Sequence, residues 1–340
     1  MIKKTFTNPR GLSALLLLAA MLIHPAAACA QYHPEAGASL AHTFSIVARD
    51  SITGEMAVGV QSHWFSVGTL VSWGKSGAGV VATQSFVNPS YGPLGLERMA
   101  SGEGADRALE ALVRADEGRD YRQVAFLDAQ GGVASYTGSK CVAVASFETG
   151  ANYAIQANMM LNDRVVPAMA EAFRTHAGLP LAERVVEAME AGQEAGGDIR
   201  GRQSAVLLVV GPDPVNEPWL DKRIDLRVDD DRDPVQELGR LLRLHRAYEQ
   251  MNAGDLAVER GDMKAAMDAY TEAGRMFPAN LEMKYWRAVA MANNGQFMLS
   301  LPLFKQVFYR DENWRELTRR LPASGLLQVS PEELSQILGL

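Results

Sequence analysis

Between residues 43 and about 228, short apolar runs of strand character alternate with amphipathic runs of helical character. Thr43-Phe-Ser-Ile-Val-Ala-Arg-Asp and Met56-Ala-Val-Gly-Val-Gln-Ser read as two strands joined by a tight turn with Gly54 near its end. Gly79-Val-Val-Ala-Thr-Gln-Ser-Phe reads as a third strand. A helical stretch opens at Leu94, breaks at Gly102 and resumes from Ala105 to Ala115, apolar at Ala108, Leu109, Leu112 and Val113. Val124-Ala-Phe-Leu-Asp and Val133-Ala-Ser-Tyr-Thr form a hairpin around Gly131-Gly132. Two further helices are predicted, Asp163 to His176 and Leu181 to Ala195, followed by the apolar strand Ser204-Ala-Val-Leu-Leu-Val-Val. Strand pairs and helix pairs in this order pack most economically as sheets covered by helices, an α+β arrangement.

From Asp233 onward the period is purely helical. Asp233-Pro234 supplies a cap and a first-turn proline, with Gln236 at the capping-box position. A period of about 34 residues then appears: Gly261 recurs as Gly295 and Tyr270 as Phe304. The first copy, residues 247–280, carries Gly254, Ala266, Ala273 and Pro278. The second, 281–314, keeps a small residue at Ala288 but places Pro302 within the run and Glu312 where a closing proline is expected. Small residues at a helix crossing, an aromatic in the second helix and a terminal proline resemble tetratricopeptide repeats. Two copies are few for independent stability, so they are expected to stack on a helix around Val235–Tyr248 and another near Pro331–Leu338. The polar stretch Asp229–Asp233 predicts a linker, which divides the chain into domains at 42–230 and 233–340.

The N-terminus has its own pattern. Lys3, Lys4 and Arg10 precede an uncharged run from Leu12 to Ile23, too short to span a bilayer but of signal-peptide length. Ala28-Cys29-Ala30 supplies the cleavage site. Residues 1–30 are therefore predicted to be a signal peptide and the mature chain to be periplasmic or secreted, with no stable membrane insertion. A lipoprotein alternative would use Cys29, with Ala26 where leucine is usual.

Composition narrows the function classes. With 340 residues, 47% hydrophobic and 21% charged, the chain is an ordinary globular one. A net charge of −7 gives it no electrostatic reason to bind nucleic acid. Its two cysteines cannot form a disulfide scaffold. Cys141 lies in the strand-like run Lys140-Cys-Val-Ala-Val-Ala and reads as a small buried core residue. H-E-x-x-H, G-x-S-x-G and P-loop motifs are absent. The acidic run Asp229–Asp233 lacks the glycine of a calcium loop, because Pro234 takes that place. No metal and no cofactor is implied.

Four segments carry a resemblance: Thr43-Phe-Ser-Ile-Val-Ala-Arg-Asp, Ala82-Thr-Gln-Ser-Phe-Val-Asn-Pro-Ser-Tyr-Gly, Gly196-Gly-Asp-Ile-Arg-Gly-Arg-Gln-Ser and Asp225-Leu-Arg-Val-Asp-Asp. They are similar to the DUF1028 family over about residues 42–245. That family is uncharacterised in activity and grouped with the N-terminal-nucleophile (Ntn) hydrolases. The grouping implies an Ntn-type αββα sandwich, here followed by an all-α tetratricopeptide-like domain. It also implies amide hydrolysis by a residue whose own α-amino group acts as base. Thr43, opening the first strand, is the nucleophile so implied. It lies beyond the predicted signal cleavage, so a free amine requires a second cut between His42 and Thr43.

The remaining candidates follow by location. Ser62 and His63 end the second strand. Lys75 precedes the third, where a cation would depress the nucleophile's pKa. Ser85 to Asn88 end that strand, and Asn88 or a backbone N–H would hold an oxyanion. Asn158 falls between a strand and a helix, and Asp198, Arg200 and Ser204 flank the loop into the last strand. Each has a structural alternative: Asn88-Pro89 as a turn initiator, Lys75 as part of a hairpin, Gly196-Gly197 as a helix cap, Asp198 paired with Arg202. Two functions follow. One is an exported Ntn-type amidohydrolase acting on a small amide or peptide-like substrate. The other is a non-catalytic binding module whose repeats engage a protein or peptide partner.

Overall fold

The computed structural model describes residues 40–340, and the signal-peptide reading of residues 1–30 lies outside them. Among the described residues, eleven strands form two antiparallel sheets. The larger sheet contains β2 (Thr43–Arg49), β3 (Met56–Ser62), β8 (Ser146–Gly150), β9 (Tyr153–Ala157), β10 (Ser204–Val210) and β11 (Lys222–Val228), in the order β11-β10-β3-β2-β9-β8. The smaller sheet runs β1-β5-β6-β7, from β1 (Leu40–Ala41), β5 (Gly79–Phe86), β6 (Arg122–Asp128) and β7 (Val133–Thr137). There β4 (Ser72–Lys75) also pairs with β5. The β2–β3 hairpin turns through Gly54, whose φ of 71° suits glycine.

Strand alternation sorts side chains into layers. On β2, Phe44, Ile46 and Ala48 face helices α3 (Val165–Thr175) and α4 (Leu181–Glu194). Val47 points the other way and joins Val58, Val60, Val80, Ala82 and Leu127 in a core between the two sheets. The outer face of the smaller sheet is covered by α1 (Tyr91–Ala100) and α2 (Ala105–Ala115), around Val81, Val124 and Phe126. The order of layers is helix pair, sheet, sheet, helix pair. Because β2, β3 and β10 are buried on both faces, their sequences read as near-continuous apolar runs.

The rest of the chain is helical: α5 (Pro234–Glu259), α6 (Met263–Met276), α7 (Leu281–Asn293), α8 (Phe297–Arg310), α9 (Asn313–Arg320) and α10 (Pro331–Leu338). Gly261 and Gly295 occupy equivalent inter-helix turns with φ of 75° and 72°. The ring of Tyr270 packs where a side chain at Gly254 would project, and Phe304 is buried in a second cluster with Ala288. The predicted separate helix at 235–248 is instead the first half of α5, which runs unbroken into the first repeat. Its Val235, Leu238 and Leu242 belong to the core beneath α4, β10 and β11. Its Ala247, Met251 and Ala257 belong to the core shared with α6.

Three local expectations are corrected. Asp233 does not cap α5 with its side chain; it pairs with Arg202 at 3.0 Å. Residues 229–233 are fastened to the sandwich rather than loose, by Ser66–Asp229, Gln203–Asp230 and Asp231–Gln203 hydrogen bonds. Residues 141–145 form an irregular, largely exposed loop, not a strand, and Cys141 is half-buried within it. The alternation Val-Ala-Val-Ala is too short and too small-sided to hold a ladder without a partner edge. No helix among the described residues is long and apolar enough to cross a membrane.

Candidate functional site

Thr43 opens β2 directly opposite Ser62, which ends β3, so the hairpin register alone brings the two hydroxyls to one end of the sandwich. Both side chains are fully buried. Around them the inter-sheet core changes character. Apolar toward the other end, it becomes a layer of amides and hydroxyls here: Ser45, Gln84, Gln123, Gln156 and Asn158, all fully buried.

Residues 40–42 enter this polar end. Leu40 and Ala41 pair with Phe86 and Ser85 on β5, and His42 is buried with 3% exposure. The carbonyl oxygen of His42 accepts two hydrogen bonds, from Ser62 Oγ at 2.6 Å and from Arg200 Nη2 at 2.8 Å. Thr43 Oγ1 donates to the Ala41 carbonyl at 2.8 Å. The Thr43 carbonyl accepts from Gln84 Nε2 at 3.0 Å and from the Asn158 N–H at 3.1 Å. The His42 carbonyl, at the peptide bond to Thr43, is thus held by two donors, and the Thr43 carbonyl after it by two more.

Arg200 is aimed by Asp198, whose buried carboxylate accepts from the Arg200 Nε and Nη2 at 3.0 and 2.6 Å. This fork-to-fork pairing fixes a guanidinium that a single contact would leave free. The same carboxylate accepts from the Arg200 and His63 backbone N–H groups. Asp198 therefore pairs with Arg200, and the Arg202 alternative is overturned by the Arg202–Asp233 bridge. Glycines at 196, 197 and 201, all at positive φ, let the chain turn tightly enough to present Asp198 and Arg200 together.

His42 Nδ1 lies 2.6 Å from Asn158 Oδ1. Burial lowers the His42 pKa below its ordinary value; the Arg200 charge adds to this, while the Asn158 bond and Asp198 oppose it. Beneath the site Arg122 donates to the Phe86 carbonyl and pairs with Asp116 at 2.8 Å. Burial works against the charged Asp116, but the Arg122 contact prevails and holds its carboxyl below the usual range.

Of the residues singled out in the sequence, Thr43, Ser62, Asn158, Asp198 and Arg200 converge. His63 joins through its backbone N–H only. Ser85 is buried beside Ala41, in a left-handed conformation with φ of 72°. Ser204 lies across from Ser62 but is engaged elsewhere, donating to the Trp64 carbonyl and accepting from Val67 N–H. Lys75 is exposed and pairs with Gly79, at the opposite end of β5 from Ser85. Asn88 forms the turn into α1, its Oδ1 accepting from the Ser90 N–H and hydroxyl, as its turn-initiator alternative has it. Burial pushes the Cys141 thiol pKa up, and its Sγ donates to the Arg122 carbonyl. Sequence reasoning missed His42 and the glutamines at 84, 123 and 156. Their signal was present: each glutamine is the one amide in its strand. Among the described residues no group of three His, Cys, Asp or Glu side chains could hold a metal ion.

Residues 43–238 match the family of unknown function DUF1028. The chain belongs to the DUF1028 family. The match begins at Thr43 and ends inside α5, so the site residues from Thr43 onward and both sheets apart from β1 fall within the DUF1028 part. The crystal structure of the DUF1028 protein SPO2555 from Silicibacter pomeroyi is similar, with 30% identity and a TM-score of 0.54. The similarity covers 64% of this chain and 92% of that one. No curated protein matches this chain.

Proposed function

We propose that this DUF1028 protein is an exported, periplasmic or secreted Ntn-type amidohydrolase acting on a small amide or peptide-like substrate. Thr43 is its nucleophile, and the α-amine of Thr43 its base once residues up to His42 are removed. The observation that carries the reading is the double grip of Ser62 and Arg200 on the His42 carbonyl, the carbonyl of the peptide bond to Thr43. Two preorganised donors, one of them cationic, beside fully buried Thr43 and Ser62 are what a developing oxyanion requires. The layering of helix pair, two sheets and helix pair supports the Ntn assignment, and the paired helices turning at Gly261 and Gly295 support tetratricopeptide-like repeats.

The first substrate is the chain itself. Thr43 Oγ1 bonds to the His42 carbonyl carbon as the C–N bond breaks. The hydroxyl proton ends on the released nitrogen, and water hydrolyses the resulting ester to a His42 carboxylate. The amine so freed has an unperturbed pKa of about 7.7–8, suited to deprotonating the Thr43 hydroxyl in later turnovers. Mass spectrometry of the protein expressed at full length is expected to find Thr43 at the N-terminus. Thr43→Ala is expected to retain His42 and to abolish amide turnover by several orders of magnitude. An intact His42–Thr43 bond in a protein that hydrolyses amides would overturn the assignment.

A second reading, a binding module, draws on an open groove of about 1080 Å³ between the start of α7, α8 and Leu340. Lys284, Lys305 and Arg310 line it without a carboxylate partner among the described residues. In a chain of net charge −7, such a groove favours an acidic peptide. Binding of an oligoglutamate peptide, measured by fluorescence polarisation and lost on Lys305→Glu, tests it.

A further inference from the structure

The segment that fills the site reports what the site selects. Leu40-Ala41 lies on β5 in line with β4, so the entering chain is read as an added strand, through its backbone. His42 follows, with its carbonyl between Ser62 and Arg200 and its ring turned to Asn158 and, edge-on at 6.1 Å, to Phe86. An external acyl group attacked by Thr43 has to put its carbonyl in the same place, and hence its side chain where the His42 ring lies.

The polarity of that position follows from a chain of hydrogen bonds ending in carbonyls, which only accept. Gln123 Nε2 reaches the carbonyls of Ala157 at 3.0 Å and Ser146 at 3.3 Å, so that atom is the amide nitrogen. Gln123 Oε1 is therefore an acceptor. Gln84 Nε2, itself fixed as a nitrogen by the Thr43 carbonyl, donates to it at 2.7 Å. Asn158 Nδ2 donates to the same oxygen at 2.9 Å. Asn158 Oδ1 is left as an acceptor directed at residue 42, and the His42 nitrogen 2.6 Å away has to carry its proton.

We propose that the acyl side of the site is an extended-peptide subsite in which Asn158 Oδ1 selects a residue bearing a neutral N–H donor, imidazole or carboxamide, over aliphatic and acidic residues. The assignment of residue 42 as the acyl position rests on the hydrolase reading, whereas the donor preference rests on the hydrogen-bond order alone. A carboxylate would set oxygen against oxygen, and a leucine would leave a buried Asn158 oxygen without a partner. Burial and the nearby guanidinium, which lower the His42 pKa, also disfavour a lysine there.

The test uses the full-length chain carrying Thr43→Ala, in which residue 42 stays attached. Long-range proton–nitrogen NMR is expected to place the His42 proton on Nδ1; the Nε2 tautomer would overturn the proposal. In the same background His42→Gln should keep the thermal midpoint within about 2 °C, while His42→Leu and His42→Glu lower it by about 4 °C or more. Equal midpoints for Gln and Leu would overturn it as well. With the recovered wild-type protein, kcat/KM is compared for acetyl-Leu-Ala-X 4-nitroanilides with X as His, Gln, Leu or Glu. His and Gln should exceed Leu and Glu by about 100-fold, since a site built to pair a donor rejects analogues lacking it. Preference for Leu would refute the subsite. Hydrolysis of none would remove the hydrolase reading, and the tautomer and midpoints would still decide the donor preference.

Discussion

His42 protonates near its ordinary value of 6.5 in the unfolded chain and only at lower pH in the fold. Between those two values the unfolded chain holds more protons, so stability falls as pH drops below about 6.5. The uncleaved chain is therefore expected to lose more thermal stability between pH 7 and pH 5 than its His42→Gln counterpart. Paired melting curves check this, and parallel losses would show that His42 titrates freely. Individual residues were unevenly legible. Thr43 follows from the family resemblance at a strand start visible in the sequence, Ser62 from the end of the next strand, and Asp198 with Arg200 from flanking the loop into the last strand. His42 was passed over because nothing local marks a residue before a strand as buried. Lys75 was expected near Thr43 because it precedes β5. The hairpin instead places it at that strand's far end, a distance set by pairing register that sequence order does not give.

Elements in the chain were easier to read where one face is apolar and the ends are punctuated. The β2–β3 hairpin, the α1–α2 break and the β6–β7 hairpin appear as expected. Strands β4, β8 and β11 escaped notice because they are edge or outer strands, exposed on one face and short of a continuous apolar run. Two helix glycines give a prediction of opposite sign at this scale. A methyl at Gly254 would meet the Tyr270 ring at 2.4 Å, whereas nothing lies within 4 Å of one at Gly274. Gly254→Ala is expected to cost about 1–3 kcal/mol by overpacking the α5–α6 crossing. Gly274→Ala is expected to gain up to about 1 kcal/mol from helix propensity. Denaturant titration of both variants checks the pair, and a shared sign would contradict the packing described.

At the scale of the molecule, α5 belongs to two cores at once, and a boundary drawn from composition near residue 230 could not anticipate that. The polar run there marks a change of pattern, while the apolar positions Val235, Leu238 and Leu242 continue the first core past it. A fragment ending near residue 248 is accordingly expected to melt several degrees above one ending near residue 230, which leaves Ile224 and Val228 uncovered. Circular dichroism melts of the two fragments decide this, and equal midpoints would make the first half of α5 dispensable. The polar end of the sandwich, occupied by residues 40–42, has a consequence for any binding measurement. A segment joined to its own site acts as a competitor at an effective concentration of about millimolar or more. It is present at one equivalent per chain and is never diluted. A free ligand of micromolar affinity added to uncut protein would register as a non-binder, however well it fits. The uncut chain is thus saturated with its own residues 40–42, and on the proposed reading affinity for anything else is created by their release.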